Sequence, residues 1–170
     1  MITPGYVRTM AAYNAEMNRR LYAAADRLGE DARRADRGAF WGSIHGTLCH
    51  LVWGDTMWMS RFDGGAKPDV PQRASAGWVR DWAALAAARL ALDARIVAWA
   101  ERVDAGWLAG ELVWMSGSVG RELRAGHGFL VTHFFNHQTH HRGQAHALIT
   151  AAGEATGDTD LMLVVDEVAG

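Results

Sequence analysis

The sequence predicts an all-α protein, a bundle of four long helices. Three observations carry that expectation. Apolar residues form 49% of the 170-residue chain and alanine is abundant, which favours helix over strand. Four stretches carry apolar residues at the three-and-four spacing of an amphipathic helix. Glycine- and proline-bearing segments separate those stretches. The length fits one domain, residues 1–170, with enough chain for a real core.

The first helix is expected over 4–28. Pro4 suits a first turn, Tyr6, Met10, Tyr13, Met17, Leu21 and Leu28 mark the apolar face, and Gly29 ends it. Residues 29–40 read as a charged connection whose acids and bases alternate, as on a solvated surface. Ser43 is a candidate N-cap for a second helix reaching Phe62, stopped by Asp63-Gly64-Gly65. A loop with Pro68 and Pro71 follows. A third helix is expected from Ser75 to Val103, with Trp78, Trp82, Leu85, Leu92, Ile96 and Trp99 as apolar positions. Residues 104–127 break the pattern; 111–115 and 119–124, around Ser116-Gly117-Ser118, suit a short hairpin. The fourth helix is expected over 128–152, ending at Gly153, with an apolar stretch at 161–165 beyond it. The third connection is long, which permits parallel as well as antiparallel neighbours.

Composition excludes several classes. A net charge of −2, with acids and bases interleaved, offers no basic face for nucleic acid. The longest apolar region, 82–100, is broken by Arg89, Asp93 and Arg95, so no membrane span is expected. The start of the chain lacks the pattern of a signal peptide. The single cysteine, Cys49, suits a reducing compartment, and a cytoplasmic protein is expected. Cys49 and His50 are adjacent and point about 100° apart on a helix, so they do not pair as nucleophile and base. Cys49 reads as a small buried residue. Most of the eight tryptophans read as core anchors.

The histidines are the informative feature. His137 and His141 stand four apart on one helix face and can grip one divalent cation. A third ligand from another helix, for which His50 is the candidate, leaves a position for water or substrate, as in catalytic metal sites. His50 alone would read as a core histidine. His133 shares the arc and is a candidate donor behind the ligands; His140 lies at its rim, and His146 falls on the opposite side. Trp53, Gly54 and Met57 share a stripe with His50 and could wall a pocket. His45 suits hydrogen bonding at a helix end. Asp55 needs a partner if buried, either a ligand imidazole or Arg142 in an ion pair. Gly143 permits close helix packing. Gln138 after His137 departs from the His-Glu-x-x-His of zinc peptidases, and neither a Ser-His-Asp signature nor a phosphate loop is present.

Two segments, Ser43-Ile-His45-Gly-Thr-Leu-Cys-His50-Leu-Val-Trp-Gly-Asp55-Thr-Met-Trp58 and His133-Phe-Phe-Asn-His137-Gln-Thr-His140-His141-Arg-Gly-Gln144, resemble the DinB family of four-helix bacterial proteins. The resemblance spans nearly the whole chain. It implies an up-down-down-up bundle, a site of His50, His137 and His141, zinc or nickel as the metal, and a homodimer. Three neutral imidazoles leave a cation's charge uncompensated, which lowers the pKa of bound water or a thiol. The expected function is therefore a metal-dependent enzyme acting on a small molecule by thiol transfer or hydrolysis. Some relatives in this superfamily transfer low-molecular-weight thiols, which makes such a thiol a candidate partner. The other reading is a non-catalytic metal-binding stress-response protein. Imidazole ligation implies an affinity that falls below about pH 6.5.

Overall fold

The computed structural model describes residues 1–117 and 119–166. Ser118, expected in the hairpin turn, lies outside the described residues, as do residues 167–170.

The chain is mostly helical, with one small sheet. Helix α1 (Pro4–Arg27) starts where the Thr3 hydroxyl accepts from the Tyr6 N–H at 3.1 Å. Its buried stripe runs through Val7, Ala11, Asn14, Met17, Asn18 and Leu21, with Tyr6, Met10 and Tyr13 at its edge. That face is turned from the expected one because two asparagines point inward. The charged connection contains a short helix, α2 (Glu30–Arg34). Arg33 is buried rather than solvated: its Nη1 donates to the carbonyls of Ala25, Asp26 and Leu28 at the end of α1.

Helix α3 (Ile44–Phe62) opens on Ser43 as expected, its hydroxyl accepting from Gly46 N–H at 3.0 Å. The expected third helix is shorter at both ends. Residues Gln72–Gly77 wind into a separate 3-10 helix, and α4 spans Trp82–Ala100. Asp81, not Ser75, caps it, accepting from Ala84 N–H at 2.7 Å. Trp78 stands outside the helix and donates to Asp69 Oδ1 at 2.7 Å. The long third connection holds α5 (Ala105–Ala109) and the hairpin, β1 (Glu111–Ser116) antiparallel to β2 (Arg121–Gly126). Its second strand lies two residues beyond the expected one. Helix α6 (His127–Ala151) follows directly and ends before Gly153, whose φ of +98° favours glycine. A one-turn helix, α7, occupies Leu161–Val164.

The four long helices pack pairwise: α1 against α4 and α6, and α3 against α4 and α6. Leu21, Ile44, Leu48, Leu85, Ile96, Phe134 and Ile149 fill the space between them. At one end Phe62, Trp99, Trp107 and Phe134 meet edge to face or stacked. None of the described helices is long and apolar enough to cross a membrane.

A buried polar chain crosses this core. The Arg89 guanidinium donates to Asp55 Oδ2 and to Asp93 Oδ1, both at 2.7 Å. Asn14 and Asn18 donate to Asp93 Oδ1 at 3.3 and 2.9 Å, and Arg142 donates to Asn14 Oδ1. The partner of Asp55 is thus Arg89, not Arg142 as the sequence suggested. Arg142 reaches α1 because it projects about 100° away from His141.

Candidate metal centre

Helix α3 supplies His50 and helix α6 supplies His137 and His141. One turn separates the α6 pair, so their rings meet at 4.5 Å between centroids, and His50 lies 5.3 and 4.6 Å from them. One ligand nitrogen from each residue can be chosen so that all lie within 4.8 Å of one another. Among the described residues, no fourth histidine, cysteine or carboxylate joins this group.

The nitrogens suit a cation. His50 Nε2 faces His137 Nε2 at 3.3 Å. Two ligands on a tetrahedral zinc, each at ~2.0–2.1 Å, stand about 3.3 Å apart. The outer nitrogens are occupied: His141 Nδ1 donates to Gln144 Oε1 at 2.7 Å, and His50 Nδ1 lies 2.8 Å from Ser75 Oγ. The Gln144 oxygen only accepts, so the proton of neutral His141 sits on Nδ1 and its Nε2 presents a lone pair. Ser75 can hold His50 in the same tautomer. Such outer partners fix ring orientation and ligand basicity. His137 Nδ1 is buried without a partner among the described residues; packing holds this ring instead. A Cβ on Gly54 would sit 2.9 Å from His137 Cε1, so the imidazole rests against the backbone of α3.

Electrostatics keep these rings neutral. Burial, then the neighbouring imidazoles, hold His50 and His137 down at about 3. Burial lowers His141 too, against the opposing hydrogen bond to Gln144. Neutral imidazole is the form that binds metal.

Trp41 stacks on His50 at 3.9 Å between centroids and 20° between planes. The turn at Gly42, with φ +77° and a bridge to Ala39, brings it there. On the other side a cavity of about 580 Å³ opens against His50 and His137. Trp53, Gly54, Met57 and Trp58 form its α3 wall, and Trp114 and Leu123 close it from the hairpin. The pocket stripe expected on α3 is therefore present.

Other residues fall elsewhere. His133 stacks edge to face on Trp58 at 5.2 Å and lines the cavity; among the described residues it makes no hydrogen bond to a cluster histidine. His140 is exposed beside His141, at the rim as expected. His146 Nδ1 lies 2.7 Å from the Thr156 hydroxyl, and His45 Nε2 2.8 Å from Val79 O. Cys49 is fully buried, its sulfur accepting from Val79 N–H at 3.2 Å, and burial pushes its thiol pKa up. Gly143 faces open space rather than a packed helix, contrary to expectation. Sequence reasoning gave no role to Trp41 or Gln144, and it placed Ser75 at a helix start rather than beside His50. Only Gln144 had a readable signal, its place three residues after His141 on the same face.

The sequence model of the DinB family matches residues 1–167. A solved structure of a DinB-like protein from Bacillus cereus ATCC 10987 is similar, with a TM-score of 0.57 at 18% identity over 84% of this chain and 90% of that one. At that identity the likeness shows the fold. No curated protein matches the chain.

Proposed function

The chain belongs to the DinB family, and on that premise we propose that it is a metal-dependent enzyme in which His50, His137 and His141 hold one zinc or nickel ion. The four long helices in this reading run up-down-down-up, and two chains form a homodimer in the cytoplasm. The observation that carries the reading is a three-imidazole cluster, oriented by Ser75 and Gln144, at the wall of a cavity large enough for a small molecule. Held by His50, His137 and His141, a divalent cation would supply Lewis acidity, which lowers the pKa of a thiol or water. A closed structural site would more usually complete its shell with a fourth protein ligand.

The chain's own residues have separable tasks. The three histidines bind through neutral nitrogens, which leave positive charge at the site. Ser75 and Gln144 fix two of the rings. Trp41 covers His50 from one side and keeps water from that face. Trp53 donates to Val70 O at 2.9 Å and so ties the loop after α3 to the cavity wall. The substrate enters between α3 and the hairpin. Thiol transfer or hydrolysis of a small molecule is the chemistry that suits this arrangement.

Purified protein should carry about one divalent ion per chain, and His50→Ala, His137→Ala and His141→Ala should each lose it. Unchanged stoichiometry in all three variants refutes the ligand set. A zinc- or nickel-loaded screen of thiols with electrophiles and labile esters should give turnover that His137→Ala lacks. Equal rates in both proteins would remove the metal from the reaction.

A further inference from the structure

The cavity beside the histidines is lined by arginine and aromatic residues, with no carboxylate among the described lining. Arg61 is its informative member. The side chain is half-buried at the cavity wall, with its guanidinium 4.6 Å over the Trp58 ring and 5.7 Å from the Trp114 ring. Stacking engages the flat faces of the guanidinium and leaves its in-plane N–H groups free to donate. Among the described residues those groups meet neither an acid nor a carbonyl. The other buried arginines are used: Arg33 on the end of α1, Arg89 between two aspartates, and Arg142 on Asn14. A half-buried cation that faces a cavity with its N–H groups unpaired gains from an anion placed there. Arg73, also on the lining, adds a second positive charge, and it too lacks an ion-pair partner among the described residues.

Geometry sets where that counter-ion would lie. His50, Gly54, Met57, Trp58 and Arg61 share one face of α3. Arg61 stands two turns beyond Gly54, against which His137 rests, or about 10 Å of helix rise. Between the two ends the walls are Trp58, Met57, Trp114 and Leu123.

We propose that the cavity takes a small organic anion, its acidic group paired in-plane with Arg61, its apolar body against the wall that Trp58 and Trp114 form together, and its far end at the histidines. The inference rests on the histidine end being the reactive one, and it adds Arg61 as a specificity-determining residue that touches the ligand. A carboxylate fits the guanidinium fork in two parallel hydrogen bonds. The positive cavity also draws such a ligand in and turns away cations.

The test compares 4-phenylbutyrate with 4-phenylbutanamide, which share a body and differ in charge. Binding is read by quenching of tryptophan fluorescence and by calorimetry, on zinc-loaded and on chelator-treated protein, with zinc content measured separately. The acid should bind about tenfold more tightly than the amide in both preparations. Arg61→Gln should abolish that ratio, and Arg61→Lys, which keeps the charge and loses the fork, should retain part of it. Adding salt should narrow the ratio. A ratio near one in the unaltered protein overturns the proposal. So does a ratio that Arg61→Gln and Arg61→Lys leave intact, or one that vanishes with the zinc, since the anion would then be sitting on the metal. Zinc content that survives loss of the histidines would instead overturn the metal reading, leaving the Arg61 result to stand by itself.

Discussion

At the scale of single residues, the site depends on small features beside the three histidines. Gly54 gives His137 its seat, because a methyl group there would meet the ring at 2.9 Å. Gly54→Ala should cost at least about tenfold in zinc affinity while helical content stays unchanged, as measured by competition with a chromophoric chelator. Full affinity in that variant would show that the ring has another stable position. Gln144→Ala removes the acceptor that fixes His141, and a loss of about 10- to 100-fold is expected. Burial also reshapes the pH response. Free imidazoles would begin to compete with metal near 6.5, but His50 and His137 are held near 3. His141 is lowered by burial as well, so zinc affinity should persist below pH 6.5 rather than fall at the value of a free imidazole. A steep loss between pH 6.5 and 5.5 would mean that the rings titrate as solvated groups.

At the scale of elements, the connection after α3 separates two roles that the sequence had merged. Ser75 has the chemistry of an N-cap and stands before an apolar periodic stretch, so spacing places a helix start there. The helix starts at Trp82, and Ser75 instead meets His50. The two serine roles differ measurably. Ser75→Ala should weaken metal binding and leave α4 intact, whereas Asp81→Ala should lower stability by about 1 kcal/mol with metal content unchanged. Thermal melts paired with elemental analysis decide between them. What was legible follows the same division. The four long helices, the His137–His141 pair and the α3 stripe are local spacings, and local spacing survives folding. The hairpin was legible from its turn residues, with a two-residue error in its second strand. Ser75, Trp41 and the inward turn of Asn14 and Asn18 depend on loop paths and distant partners, which no local spacing encodes. Gly143 misled for the converse reason: a small residue permits close packing but does not require it.

At the scale of the whole molecule, core packing and the Arg89 network carry the fold, and a metal held by the three histidines would add only a local tie between α3 and α6. Chelation should therefore leave most of the helical signal in place; complete unfolding in chelator would make the metal structural. Arg89→Ala strands two buried carboxylates and should cost about 3–5 kcal/mol in denaturant unfolding. A loss below about 1 kcal/mol would mean that water reaches the network. The metal-free protein should also weaken in acid. Histidines held below 6.5 make stability full above that value and lower it as the pH falls toward 3, because the unfolded chain binds the protons first. Asp93, pushed up to about 6 from 3.8 by burial, acts in the opposite sense, favouring the fold below its raised value. Asp55, also raised by burial, acts with Asp93, while His45, His133 and His141, lowered by burial, act with His50 and His137; the five histidines outweigh the two carboxylates, so melting temperature in chelator should fall between pH 7 and 5. Each long helix contributes to the polar chain: Asn14 and Asn18 from α1, Asp55 from α3, Arg89 and Asp93 from α4, and Arg142 from α6. Peeling away any one of them strands charge on the others, so the molecule has no separable half. Amides at the centres of all four helices should exchange with deuterium through a single common opening, and a chain cut between α3 and α4 should regain structure only when both pieces are mixed.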